Sequence, residues 1–117
     1  MIRLLLSLLS AFWLSACTHL VYDSTERLQV KNLSDRNIRN LSVVGANDTL
    51  VWIPEEIAPG KLSHVHERDF VGSFRIVFEA EAGGIWETVD LGKIRFDGGS
   101  ELARIFRKDG VWSLKFE

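Results

Sequence analysis

The segment FVGSFRIVFE, residues 70–79, decides the fold. Its phenylalanines, its isoleucine and its glycine fall on every second position, and the polar residues Ser73, Arg75 and Glu79 fall on the other positions. Because the side chains of a strand point alternately to opposite faces, this pattern predicts a β-strand with one buried face. That face would carry Phe70, Gly72, Phe74, Ile76 and Phe78. Burying a phenylalanine stabilises a fold by about 1.5–3 kcal/mol, so we expect Phe74→Ala or Phe74→Asp to be among the most damaging changes.

Shorter runs with β character precede this segment. They cover residues 28–30, 38–43, 50–53 and 62–67. In the second run, the spacing of Ile38, Leu41 and Val43 departs from strict alternation, which predicts a β-bulge near Arg39-Asn40. Pro54 ends the third run because proline has no amide hydrogen to donate to a neighbouring strand.

Further runs follow the segment, over residues 85–91, 102–106 and 111–116. Gly83-Gly84 breaks the chain before the first of them. Asp109-Gly110 joins the last two, and this dipeptide favours a tight hairpin because both residues tolerate positive φ. A helix from Ser100 to Arg107 is the alternative for this part of the chain. Eight residues are few for a stable helix, so we favour the strand.

The spacing of these runs predicts an all-β fold. We expect one domain over residues 28–117, built as a small antiparallel β-sandwich of seven or eight strands with an immunoglobulin-like outline. A small closed β-barrel is the competing architecture. A chain of 117 residues with 46% hydrophobic and 26% charged residues fits one such domain and is too short for two.

The first seventeen residues carry a different signal. Arg3 gives a short basic start, and the apolar stretch Leu4–Leu14 follows it. As a helix this stretch would be about 16 Å long, which is roughly half of a bilayer's hydrocarbon core. It is therefore too short for a permanent membrane span and is typical of an export signal. The stretch ends in Leu14-Ser15-Ala16-Cys17, which resembles the lipobox of bacterial lipoproteins.

That resemblance implies how the chain is processed. Residues 1–16 would be a signal peptide removed between Ala16 and Cys17, and the Cys17 thiol would carry a diacylglyceryl group. Cys17 is the only cysteine, so an internal disulfide is impossible. Residues 17–27 would form the lipidated N-terminus and a tether, although Leu20-Val21-Tyr22 could equally open as an edge strand. In such lipoproteins an aspartate directly after the lipidated cysteine usually keeps the protein in the inner membrane. This chain has Thr18 at that position, which favours an outer-membrane location with the domain in the periplasm.

Composition and motifs exclude several functions. The formal net charge is −2 and no Lys/Arg-rich run occurs, so a nucleic-acid partner has no electrostatic basis. No phosphate loop, dinucleotide fingerprint or calcium loop is present, and we expect no cofactor. No Gly-x-Ser-x-Gly motif occurs. The carboxylate pairs Glu55-Glu56 and Glu79/Glu81 are interpreted as solvated charges, so we expect no catalytic residues and no enzyme activity.

Three residues remain as candidates for binding. His64 and His66 would project from the same face of a strand and are weak candidates for a metal site, because a pair leaves a tetrahedral metal short of ligands. Trp112 shares its side with apolar neighbours and is assigned to the core. Trp86 shares its side with Thr88 and Asp90, which makes it the better candidate for a surface that binds a protein partner.

The sequence therefore favours a membrane-anchored envelope lipoprotein with a non-catalytic β-sandwich. It would be held to the membrane by lipid on Cys17 and would act as a protein-interaction or structural module of the periplasm. The alternative is a periplasmic lipoprotein that binds a small ligand or a metal, for which His64, His66 and a cavity between sheets are the candidates.

Overall fold

The structure is a computed structural model and describes residues 25–117. These residues form eight β-strands. In chain order they are β1 (Glu26–Asn32), β2 (Ile38–Val44), β3 (Thr49–Ile53), β4 (His66–Arg68), β5 (Gly72–Ala82), β6 (Ile85–Phe96), β7 (Gly99–Lys108) and β8 (Val111–Phe116). Within these residues no helix is present. The all-β prediction is therefore confirmed.

The strands form two sheets of four strands each. One sheet has the order β4-β1-β7-β8, and the other has the order β3-β2-β5-β6. β1 and β7 run parallel, and every other neighbouring pair is antiparallel. The predicted β-sandwich of seven or eight strands is confirmed with eight, and the alternative of a closed barrel is wrong, because each sheet over residues 25–117 ends in two unpaired edge strands.

One end of the sandwich, here called the base, contains the start of β1. Glu26 at that start lies opposite Gly99, the first residue of β7. In the other sheet, Gly72 at the start of β5 lies opposite Phe96 at the end of β6. Asp97-Gly98 links β6 to β7 and brings these strand ends together. The chain from the N-terminus therefore enters the sandwich at its base.

The opposite end, here called the top, contains the tight turns. Residues 33–37 carry the chain from β1 to β2, and the Glu81 amide donates a hydrogen bond of 2.9 Å to the Asn37 carbonyl there. The Gly83-Gly84 turn, which was predicted as a break, joins β5 to β6 at the same end.

The core lies between the two sheets and is organised around aromatic rings. Trp52 is fully buried, and its ring centroid lies 4.9 Å from that of Phe96 and 5.1 Å from that of Phe70, both edge to face. Phe78 makes a similar contact of 5.1 Å with Trp112, which packs against the core as predicted. The remaining buried apolar residues are Leu28, Val30, Ile38, Leu41, Val43, Ile53, Ile57, Ile76, Ala80, Ala103 and Ile105.

The bulge predicted in β2 is present. The pairing of β2 with β5 shifts register between Arg39 and Ser42. Asn40 lies inside this irregularity with φ of 53°, a left-handed conformation that asparagine tolerates better than most residues. The extra residue allows both Ile38 and Leu41 to be buried.

The predicted hairpin at Asp109-Gly110 is also confirmed. Both residues have positive φ, 53° and 79°, as a two-residue turn of this hand requires. The alternative helix from Ser100 to Arg107 is wrong. These residues lie in β7, whose backbone pairs with β1 on one side and β8 on the other.

The run predicted over residues 62–67 forms less strand than expected, because β4 begins only at its last two residues. Leu62 takes part in a single bridge and stays half exposed. Ser63 faces the core instead, and its hydroxyl accepts a hydrogen bond of 2.9 Å from the Val30 amide. The buried position of this run is therefore filled by the hydrogen-bonded Ser63, whereas the apolar pattern predicts Leu62 there.

Residues 70–79 show the predicted alternation with one correction. Ile76 and Phe78 are buried in β5, on the same side as Phe74. Phe74 is only half-buried, because it lies near the base of the sandwich. Its ring packs on Phe70 with a centroid distance of 5.8 Å. Phe78, not Phe74, is the side chain of this segment on which the core depends most.

We therefore expect Phe78→Ala to lower the free energy of unfolding by about 3–5 kcal/mol, through lost apolar burial and a residual cavity. Phe74→Ala should cost less, because part of that ring already contacts solvent. Ile85→Ala, at a position that is 67% exposed, should change stability by no more than about 0.5 kcal/mol. Denaturant unfolding of the three variants measures this order, and equal losses for Phe78→Ala and Ile85→Ala would contradict it.

Candidate functional site

The two candidate metal ligands, His64 and His66, meet at one carboxylate. The ring Nε2 of His66 contacts Glu55 Oε1. The other oxygen, Glu55 Oε2, accepts a hydrogen bond of 3.0 Å from the His64 amide and lies 3.8 Å from His64 Nε2. The interpretation of Glu55 as a solvated charge is wrong, because its side chain is mostly buried against the two histidines. Glu55 follows Pro54 at the end of β3.

This arrangement serves to fix a loop. Partial burial acts to raise the pKa of Glu55, but hydrogen bonds from the His64 amide and the His66 ring outweigh it, so the pKa is lowered. The carboxylate is thereby held in its charged form, and it ties the chain after β3 to the start of β4. Among residues 25–117, no group of three or more histidine, cysteine or acidic side chains is placed to hold a metal ion.

Trp86 lies on the outer face of the sheet that contains β5 and β6, where it is half-buried. The guanidinium carbon of Arg39 lies 3.9 Å from the centroid of its ring, which is a cation–π contact. Glu79 Oε2 is 3.2 Å from Arg39 Nη2, and Glu79 Oε1 accepts a hydrogen bond of 2.8 Å from the Asn40 amide group. Arg39 thus lies over the tryptophan ring, and Asn40 in the bulge contacts the carboxylate that pairs with Arg39. This group is here called the Trp86 cluster: Trp86, Arg39, Asn40 and Glu79.

The charges of the Trp86 cluster compensate each other. The hydrogen bond from Asn40 is the largest influence on the pKa of Glu79 and lowers it, and Arg39 acts in the same direction against partial burial. Glu79 is therefore a fixed anion that orients Arg39 over the ring. The sequence identified Trp86 as a surface residue but interpreted Glu79 as a solvated charge, because the pairing depends on contacts across three strands.

A shallow depression of about 370 Å³ lies next to the Trp86 cluster on the same face. Asn40 and Glu79 form one side of it, and Thr49 and Thr88 come from the edge strands β3 and β6. Hydroxyl, amide and carboxylate groups therefore share this open face of the sandwich with the Trp86 ring.

The predicted lipidation and cleavage residues, Ala16 and Cys17, lie outside the residues that the structure describes. In the part that is described, no helix is long and apolar enough to cross a membrane.

No protein-family model matches the sequence, and no curated protein or solved structure matches it significantly.

The role of Glu55 leads to a prediction about pH. A carboxyl group whose pKa is lowered on folding stabilises the folded state above its unfolded value of 4.5, and this contribution is lost as the pH falls through the folded value. We expect Glu55→Gln to lower the stability at neutral pH by about 1 kcal/mol and to make the loss of stability in acid shallower. Unfolding curves from neutral pH to below pH 4 measure both effects.

The neighbouring Glu56→Gln is the matched control, since the Glu56 side chain is exposed. If Glu56→Gln changed the acid dependence as much as Glu55→Gln, the contacts of Glu55 with the two histidines would not be the cause.

Proposed function

We propose that this chain is a bacterial lipoprotein whose β-sandwich is a non-catalytic module for protein interaction in the cell envelope. Residues 1–16 would be the signal peptide, and the lipid on Cys17 would hold the protein at the outer membrane with the sandwich in the periplasm. The Trp86 cluster would be the surface that contacts another envelope protein.

The observation that carries the proposal is the N-terminal sequence. A basic start, an apolar stretch of limited length and the segment Leu14-Ser15-Ala16-Cys17 occur together and in the required order. Each acyl methylene buried in a bilayer contributes about 0.8 kcal/mol, and two or more chains give a stable anchor. A diacylglyceryl group on Cys17 would therefore keep the domain at the membrane.

The geometry of the sandwich supports this arrangement. β1 starts at Glu26, nine residues after Cys17, and nine extended residues span at most about 32 Å. A lipid on Cys17 would thus keep the base of the sandwich near the membrane. Trp86 lies ten residues before the end of β6, which at about 3.3 Å per residue puts it roughly 33 Å above the base. The Trp86 cluster would then face away from the membrane, where a partner can reach it.

The residue types of the Trp86 cluster also support a protein partner. Tryptophan and arginine are the residues most enriched among those that dominate the binding energy of protein interfaces. Arg39 is held over the ring by Glu79, so little side-chain freedom remains to be lost on binding. A preformed aromatic and cationic surface of this kind suits an interface that forms without rearrangement.

The anchor is tested by Cys17→Ala. In cells, the unaltered chain should fractionate with the outer membrane and should have the mass of residues 17–117 plus acyl chains. Cys17→Ala should lose the acyl mass and should leave the membrane fraction, or should keep residues 1–16. Fatty-acid-free material from the unaltered chain would contradict the proposal.

The partner surface is tested by photo-crosslinking in intact cells. A crosslinker at Thr88, on the same face as Trp86, should give a specific adduct with an envelope protein, and Trp86→Ala should reduce its yield at least tenfold. A crosslinker at Ser113, on the outer face of the other sheet, is the control and should not give this adduct. An adduct that forms equally from both positions, or that persists with Trp86→Ala, would remove the Trp86 cluster as the interface.

A further inference from the structure

Two carboxyl groups lie at the base on the inner side of the sandwich. Glu26 is fully buried, although it is acidic and is the first residue of β1. In the parallel pairing of β1 with β7, Glu101 lies opposite Leu28, one step along the same face from Glu26. The next residues of that face, Val30 and Ala103, are fully buried and belong to the core. The two acids therefore close the core where the chain enters it.

Within residues 25–117, these carboxyl groups have too few hydrogen-bond partners. Both oxygens of Glu26 and Oε2 of Glu101 are buried, and no side chain or backbone group of those residues forms a hydrogen bond of normal geometry with them. Burying a polar oxygen without such a bond is costly, and burying two like charges side by side is costlier. The first cost falls when one of the two groups keeps its proton, because a neutral acid can donate a hydrogen bond to the other.

The charged groups on the neighbouring strands β1 and β4 contact other residues or are exposed to solvent. Arg27 projects to the outer face, where its Nη1 is 3.5 Å from Glu67 and its Nε donates to the Ser100 hydroxyl. On β4, Arg68 lies opposite Glu26 in register with an exposed side chain. His66, the next residue of that face, contacts Glu55.

The connection from β6 to β7 adds a further anion. Asp97 lies in it, and its carboxylate accepts a hydrogen bond of 2.9 Å from Arg95. Burial raises the pKa of Glu26 most strongly, to about 8. The Glu101 carboxyl and the charge of Asp97 act in the same direction, and the Gly98 amide acts against them.

We propose that Glu26 and Glu101 share one proton and form a pH-sensitive clasp that holds the start of β1 on β7. With the proton bound, one carboxyl donates a hydrogen bond to the other, and the pair carries a single negative charge. When the proton leaves to solvent, two adjacent anions face each other in the core. The first residues of β1 then separate from β7, because separation hydrates both groups.

The clasp controls the point at which the chain enters the sandwich. The Gly99 amide donates a hydrogen bond of 3.0 Å to the Thr25 carbonyl, so the backbone pairing of β1 with β7 extends to the residue before Glu26. Opening would detach the first residues of β1 from β7. The direction follows from linkage: an acid whose pKa is raised on folding stabilises the closed state in acid, and this stabilisation is lost as the pH rises from 4.5 towards about 8.

Amide hydrogen exchange of the full chain in detergent tests the clasp. The exchange rates are first corrected for the intrinsic rate of each amide. The opening constant of residues 26–30 and 99–103 should then increase with pH between about pH 5 and pH 8, by up to tenfold per pH unit, because each opening releases one proton. Glu26→Gln keeps the shape of the side chain without a titrating group. Its opening constant should be independent of pH and lower than that of the unaltered chain at pH 8.

Glu87→Gln is the matched control, since Glu87 is an exposed acid on β6, and it should keep the pH dependence of the unaltered chain. An opening constant that is flat in the unaltered chain, or that still rises in Glu26→Gln, would overturn the proposal. Carbon-13 titration of the Glu26 carboxyl gives an independent readout that needs no variant. A midpoint near the ordinary value for glutamate would overturn it, and a midpoint well above that value would support it.

Discussion

The parallel pairing of β1 with β7 is the constraint on which the rest of the structure depends. It joins the first strand of the sandwich to the seventh over the whole length of β1, from Glu26 to Asn32. Without it, Leu28 and Val30 would not reach the core, and β4, which pairs only with β1, would not be joined to the rest of its sheet. The same pairing brings Glu26 beside Glu101. The two acids are thus neighbours because of the pairing that joins β1 to the rest of the sheet.

Local features of this fold could be predicted because their cause lies within a few residues. The alternation in residues 70–79, the bulge at Asn40 and the hairpin at Asp109-Gly110 each follow from backbone preferences of the residues concerned. The parallel pair could not be predicted in this way. It connects segments about seventy residues apart, and a period of two describes which side of a strand is buried without specifying the neighbouring strand.

The same distinction applies to the side chains of the sites. Trp86 could be assigned to the outer face from its polar neighbours along β6, whereas the roles of Glu55 and Glu79 depend on partners from other strands or from a distant loop. The burial of Glu26 could not be predicted for another reason. A charged residue before an apolar run is ordinarily the last exposed residue of a linker, and only the burial of Glu26 and its pairing with β7 show that the strand begins there.

The edge of β6 favours binding through a face of the sandwich and not by strand addition. Leu91 has no opposite residue in β5, and the Gly92 amide next to it donates to Asp90 Oδ1 at 2.8 Å, so one edge donor is already used. Lys93 and Arg95 follow, and charged side chains along an edge oppose pairing with a second chain. Because a bulge and edge charges protect the long strand on which Trp86 lies, the proposed protein partner would contact the outer surface of the sheet. There the Trp86 cluster presents an aromatic ring whose position is already fixed by Arg39.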